Sequence, residues 1–97
     1  VSTNYGKKLR LIRKAERFTQ AQMSDLTGIS LGGIKNYETQ GVEVGLSIIE
    51  RILACAPFQK YTLWLMTGQT ATQAGQIAPK GAEDLNDEDD NADAANQ

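Results

Sequence analysis

Residues Thr19–Glu38 read TQAQMSDLTGISLGGIKNYE. Thr19 is a helix-capping residue type, because its hydroxyl accepts a first-turn N–H that has no partner inside the helix. The spacing predicts a helix over Gln20–Thr27, with Ala21 and Met23 turned inward. Gly28 closes it, since glycine enters the left-handed conformation without steric cost. Ser30 repeats the capping signal, and a second helix over Leu31–Glu38 turns Ile34 and Tyr37 toward the interior. Two short helices joined by a tight glycine-containing turn make a helix-turn-helix, whose second member can lie in the major groove of duplex DNA. Such a unit has definite chemical needs. Gln20, at the first turn of the leading helix, offers an amide to a phosphate beside open backbone N–H groups. Ile29 and Ile34 lock the angle between the helices. Outward positions of the second helix are polar or small, so that base edges can be approached.

Working outward, Asn4 caps a helix whose apolar positions Tyr5, Leu9 and Ile12 recur at spacings of four and three. It carries Lys7, Lys8, Arg10 and Lys14 on wetter faces and ends at Arg17-Phe18. Beyond a loop from Thr39 to Gly45, residues Leu46, Ile48, Ile49, Ile52 and Leu53 describe a fourth helix, which Pro57 stops. A short apolar fifth helix runs from Tyr61 to Met66 and is closed by Gly68. No stretch alternates with period two for long enough to argue for a sheet. The expected fold class is all-α, five helices within residues 1–67. From Gly68 the composition turns polar, with no aromatic residue after Trp64. Residues 68–97 therefore read as a loosely packed linker (68–82) followed by a flexible, disordered acidic tail (83–97).

Composition excludes more than it includes. Among 97 residues there is no histidine and one cysteine, Cys55. The commonest general base, the commonest metal ligand and any intrachain disulfide are therefore missing. No serine has a base partner, so no catalytic residues, metal or cofactor are expected, and Cys55 reads as a small buried hydrophobe. No apolar run approaches the ~18 residues that cross a bilayer. The expectation is a reduced, cytoplasmic protein with no membrane association. The formal net charge of −2 conceals an asymmetry: all ten Lys and Arg lie within the first 80 residues, while residues 83–97 hold seven acids and no base. A basic body with an acidic tail is the better description.

The basic first helix GKKLRLIRKAE, the TQAQ opening, the GIS corner followed by IKNYE, and the terminal LWLMTG stand in an order and at distances that resemble the lambda-repressor-like (Cro/CI, XRE) helix-turn-helix regulators, of short phage or prophage type. The resemblance covers roughly residues 4–67. It implies a five-helix DNA-binding domain acting as a transcriptional repressor on a two-fold, double-stranded DNA operator, as a homodimer. Gln20 matches the phosphate-bonding glutamine of the family. Ser30, Leu31, Gly32 and Asn36 match positions that reach base edges, and Gly33, Lys35 and Thr39 match neighbouring base or phosphate contacts. Arg13 and Glu38 match a salt bridge between the first and third helices. Tyr61, Leu63, Trp64, Leu65 and Met66 read first as core; relatives pair through this end of the domain, which makes Tyr61, Trp64 and Leu65 candidates for a dimer interface as the alternative.

Departures from the family pattern matter. Leu31 and Gly32 stand where long amides often contact bases, so Asn36 is the best candidate for an adenine and Leu31 for a thymine methyl. The Thr39–Gly45 loop carries Glu43 and no base. Thr27 occupies a position that is usually apolar and Leu26 one that is usually polar, so Leu26 is either a contact residue or a re-registered core residue. The acidic tail reads as a solubilising end, an intramolecular competitor for the basic face, or a docking site for a protein partner. An antitoxin-like interaction module on the same scaffold, with DNA binding secondary, is the alternative.

Overall fold

Asn4 opens α1 (Tyr5–Ala15) by accepting the Lys7 N–H on its Oδ1 at 3.1 Å. The structure, a computed structural model, describes residues 4–83. At the other end of α1, Arg17 takes φ 62°. The Phe18 N–H then reaches the Arg13 carbonyl at 3.1 Å and the Arg17 N–H that of Lys14 at 3.0 Å. This is the Schellman geometry usually given to glycine; an L side chain there costs about 1 kcal/mol. Phe18 offsets that cost by packing edge-on against Phe58, ring centroids 5.7 Å apart.

A reciprocal capping box starts α2 (Gln20–Thr27): Thr19 Oγ1 accepts the Gln22 N–H at 3.0 Å, and Gln22 Oε1 accepts the Thr19 N–H at 2.9 Å. That cap sets the phase of the helix. Met23 is buried, Ser24 and Thr27 are half-buried, and Ala21, expected inside, is exposed. The inward face of α2 is thus partly polar and stitches the turn. Ser24 Oγ donates to the Ile29 carbonyl (2.5 Å), while Thr27 Oγ1 donates to the Met23 carbonyl (2.8 Å) and accepts the Ile29 N–H (3.2 Å). Thr27 does by hydrogen bonding what an apolar residue does by packing, and Leu26 lies outside at 43% exposure rather than in a shifted core register. Gly28, at φ 78°, turns the chain into α3 (Leu31–Thr39), whose first turn is capped by Ser30 Oγ accepting the Gly33 N–H at 3.0 Å.

α4 (Leu46–Leu53) buries Ile49 and Ile52 and leaves Leu46 exposed. It ends before Pro57, which instead sits in the first turn of a 3₁₀ helix, Ala56–Tyr61, where a missing N–H costs nothing. α5 (Thr62–Thr67) follows directly and stops at Gly68, φ 77°. α1 packs on α3 and α5, α2 on α3, and the 3₁₀ helix joins α4 to α5. Leu9, Ile12, Met23, Ile34, Ile52, Phe58 and Leu65 fill the space between them. The fold is all-α and lambda-repressor-like. Among the described residues no strand forms beyond one isolated bridge, Ala71 with Gln76.

Residues 68–82, expected as a loose linker, lie hydrogen-bonded against the helices. Gln76 is the reason. Its Oε1 accepts the Leu63 N–H in the open first turn of α5 at 2.9 Å, and its Nε2 donates to the Gln59 carbonyl at 3.0 Å. The Ile77 N–H adds a bond to the Lys60 carbonyl at 2.9 Å, Pro79 is buried, and Ala78 and Ala82 pack on the core. Composition undervalued the segment because polar hydrogen bonds, rather than apolar area, attach it. Of the acidic stretch 83–97, all but Glu83 lies outside the described residues.

One polar cluster closes the far side of the core. Glu16 Oε2 accepts the Tyr61 hydroxyl at 2.6 Å and pairs with Lys60 at 2.9 Å. The Tyr61 hydroxyl first, and Lys60 after it, hold the Glu16 carboxyl below its ordinary value of 4.5 against the opposing effect of burial. Burial and this same contact raise the Tyr61 phenol, so it stays protonated and donates. Because the folded Glu16 pKa is depressed, its stabilisation is complete above the unfolded value and is lost as pH falls through the folded one. Tyr61→Phe is expected to destabilise the protein by about 2 kcal/mol at pH 7. That penalty should shrink as pH falls through the depressed Glu16 pKa; thermal melts at pH 7 and across the acid range measure it.

Candidate nucleic-acid interface

The site is built on one buried ion pair. Arg13, on α1, faces Glu38, on α3, with Nε to Oε2 at 2.8 Å and Nη2 to Oε1 at 2.9 Å. Both side chains are nearly out of solvent, 11% and 2% exposed. Bidentate geometry suits a planar guanidinium, and its remaining fork satisfies the Phe18 carbonyl through Nη1 at 2.8 Å. Gln20 Nε2 then donates to Glu38 Oε1 at 3.1 Å. Three helices therefore meet at a single carboxylate, and the pair expected from the sequence is present with a partner that was not expected. One of the two Gln20 amide hydrogens is committed inward, which leaves the other and the first-turn backbone open to a ligand.

α1 approaches α3 closely enough to require a glycine. A Cβ on Gly6 would stand 2.0 Å from the Tyr37 carbonyl oxygen and 3.0 Å from its carbon. Gly6 carried no expectation from the sequence, although a glycine inside a helix on its buried side, here in the first turn of α1, one turn from Leu9 and two from Arg13, is the signal of close backbone approach.

α3 divides along its length. At about 100° per residue, Gly33, Tyr37, Ile34 and Glu38 occupy one side, and Leu31, Lys35, Thr39, Gly32 and Asn36 share an arc of about 140° on the other. Burial follows the division: Ile34 and Glu38 are buried, Gly33 and Tyr37 half-buried, and the five others exposed together with the cap Ser30. Not all six offer the same chemistry. The Ser30 hydroxyl already accepts the Gly33 N–H, and Thr39 Oγ1 donates to the Lys35 carbonyl at 2.6 Å. The Asn36 amide and Lys35 ammonium make no hydrogen bond or ion pair among the described residues. Leu31 presents an apolar surface at 39% exposure. Asn36 is thus the polar side chain best placed for a bidentate contact with a ligand along this face.

Gly32 sits in open space, with nothing within 4 Å of where its Cβ would be. Packing does not require it. Gly32→Ala is expected to stabilise the protein by about 1 kcal/mol through helix propensity, raising the melting temperature by about 4–8 °C for a domain of this size. Affinity should fall if the bare backbone serves close approach; melting and binding of one variant separate the two effects.

The following loop is anchored by buried Val44 and turned by Gly41 at φ 68°, with the Gln40 and Val42 N–H groups both on the Asn36 carbonyl. Val42 and Glu43 are exposed and no base stands beside them. Of the basic residues on α1, Lys8 is diverted. Its ammonium donates to the Trp64 and Leu65 carbonyls at 3.3 and 3.2 Å and lies 5.0 Å from the Trp64 ring centroid. Burial lowers its pKa, and its charge complements the negative end of α5.

The expected dimer residues need correction. Tyr61, Trp64 and Leu65 are 3%, 5% and 0% exposed, inside the core. The core reading of these residues fits their burial, and the dimer candidacy drawn from relatives does not, because α5 is enclosed by α1, the 3₁₀ helix and the 71–82 segment. Of that apolar run, Met66 is the exposed member, at 40%.

No protein-family model matches the chain. It is 39% identical over 79 residues to Repressor protein C of Escherichia phage P2, an alignment covering 81% of this chain and 80% of that protein.

Proposed function

The chain belongs to the Cro/CI-type helix-turn-helix family of phage repressors, and from that premise we propose that it binds a two-fold DNA operator as a homodimer, inserting α3 into the major groove. That it is a regulator of the phage-repressor type follows from the family; the operator, the dimer and the contacts are the proposal. The observation that supports it most is the outward arc of α3, with an unpartnered Asn36 on a helix held by the buried Arg13–Glu38–Gln20 network.

Each residue then has a role. Asn36 reads an adenine edge, Leu31 meets a thymine methyl, and Gly32 and Gly33 let the backbone come near. Lys35 and the open first turn of α2, with Gln20, hold phosphates, while Ser30 and Thr39 border them after shaping the helix ends. Two α3 helices about 34–36 Å apart would address successive major grooves on one DNA face.

The test is a binding titration on duplex DNA from upstream of the protein's own gene. Asn36→Ala should weaken binding by about tenfold or more, within the ~1–3 kcal/mol of a bidentate base contact, and relax sequence preference at one position per half-site. Lys35→Ala should weaken all sequences alike and reduce the log–log salt slope by about 0.9 per half-site. Unchanged binding by both variants, or an affinity indifferent to salt, removes the assignment. A partner-binding module is the second reading, favoured by the exposed apolar residues Leu26, Val42 and Leu46 at 43%, 47% and 63%. Failure of the wild type to bind any such duplex would select it.

A further inference from the structure

α1 carries more positive charge than its packing engages. Lys8 is held by α5 and Arg13 by Glu38, whereas Arg10, Lys14 and Arg17 are exposed and form no ion pair among the described residues. Their placement is ordered. Going round α1 from Leu11, Lys14 comes after about 60° and Arg10 after about 100°; Gly6 and Arg13, which touch α3, come next at about 140–160°. Arg17 stands at the helix end. A basic stripe therefore separates Leu11 from the edge of the proposed DNA-reading helix.

The described chain returns to this stripe. Ala82 packs against the core, and the Cβ position of Gly81 lies 3.4 Å from Leu11 Cδ2. Leu11 lies one helical turn from Lys14, and the remaining residues, 84–97, hold six acidic residues and no basic one. Reach does not limit them. Fourteen residues span up to about 46 Å at ~3.3 Å each, against about 16 Å for the length of α1. A tether this short gives an effective concentration in the mM range, at which weak charge pairing becomes substantial.

We infer that residues 84–97 dock, within their own chain, on the basic stripe Arg10–Lys14–Arg17 of α1 and compete there with DNA phosphates. The competition rests on the DNA reading above; the docking does not. Attraction between opposite charges supplies the contact, so it weakens as salt rises, and DNA must displace the peptide to occupy the same field.

Two measurements on the full chain decide the matter. Zero-length carbodiimide coupling joins a carboxylate to an amine only where they touch. It should link Lys14 to an acid of 84–97 within one chain when isotopically light and heavy copies are mixed. In the second, the full chain carrying Asp84→Asn, Asp87→Asn, Glu88→Gln, Asp89→Asn, Asp90→Asn and Asp93→Asn should bind a duplex of arbitrary sequence about tenfold more tightly at low salt, and equally at high salt. Lys14 uncoupled from 84–97, links only between copies, or equal low-salt affinities would each overturn the inference. If neither protein binds duplex DNA, the DNA reading and the competition both fall, and the Lys14 coupling alone upholds or refutes the docking.

Discussion

Glu38→Ala is expected to cost about 3–5 kcal/mol, since it removes one member of a buried ion pair and leaves the other charged in the interior. Arg13 would keep only the Phe18 carbonyl as a partner, and Gln20 would lose the acceptor that ties α2 to α3. Against a total stability of about 5–15 kcal/mol for ordinary domains, that loss is close to unfolding. Urea denaturation measures it directly. Arg13→Met with Glu38→Leu should cost much less than Glu38→Ala alone, because no unpaired charge remains. A single-variant cost below about 1 kcal/mol would mean that the pair is solvated, in the range of surface salt bridges. At temperatures where Glu38→Ala still folds, duplex affinity should fall more than in a stability-matched core variant, since the network orients α3.

Gly6→Ala is the second large effect. A methyl placed 2.0 Å from the Tyr37 carbonyl oxygen meets backbone, which cannot rotate away as a side chain can. α1 and α3 must separate, at a net cost of about 3 kcal/mol, even though alanine favours helix by about 1 kcal/mol. The same substitution at Gly32 is expected to change stability in the opposite direction. Parallel melting of the two variants therefore tests the α1–α3 approach without reference to any ligand. If Gly6→Ala raises the melting temperature as Gly32→Ala does, the close crossing is wrong.

Helix positions were legible because their signals are local. Asn4, Thr19 and Ser30 cap α1, α2 and α3, and Gly28 and Gly68 close α2 and α5. Each works through hydrogen bonds or backbone angles within a few residues, which a linear string records. Much of the α3 outward face was legible for the same reason, as it follows from helical phase. The inward assignment of Ala21 failed because three apolar positions in an eight-residue helix leave its phase nearly free, and the capping box fixes it. Gly68–Ala82 failed because Gln76 attaches it to α5 across 13 residues, a contact no window of composition weighs.

The sequence by itself determined where α1 to α5 lie, that they enclose one core, and which arc of α3 faces outward. Short-range capping and apolar periodicity carry that information. Tertiary structure alone decided which charges are available. Ten basic residues look alike in a string, yet Arg13 is buried on Glu38, Lys8 bound to α5, Lys60 paired with Glu16, and Arg10, Lys14 and Arg17 are exposed. It likewise decided between core and dimer contact for Tyr61, Trp64 and Leu65, in favour of core, and required glycine at position 6. Burial, desolvation and steric exclusion depend on neighbours distant in the chain, so they take a definite value only after the helices have packed.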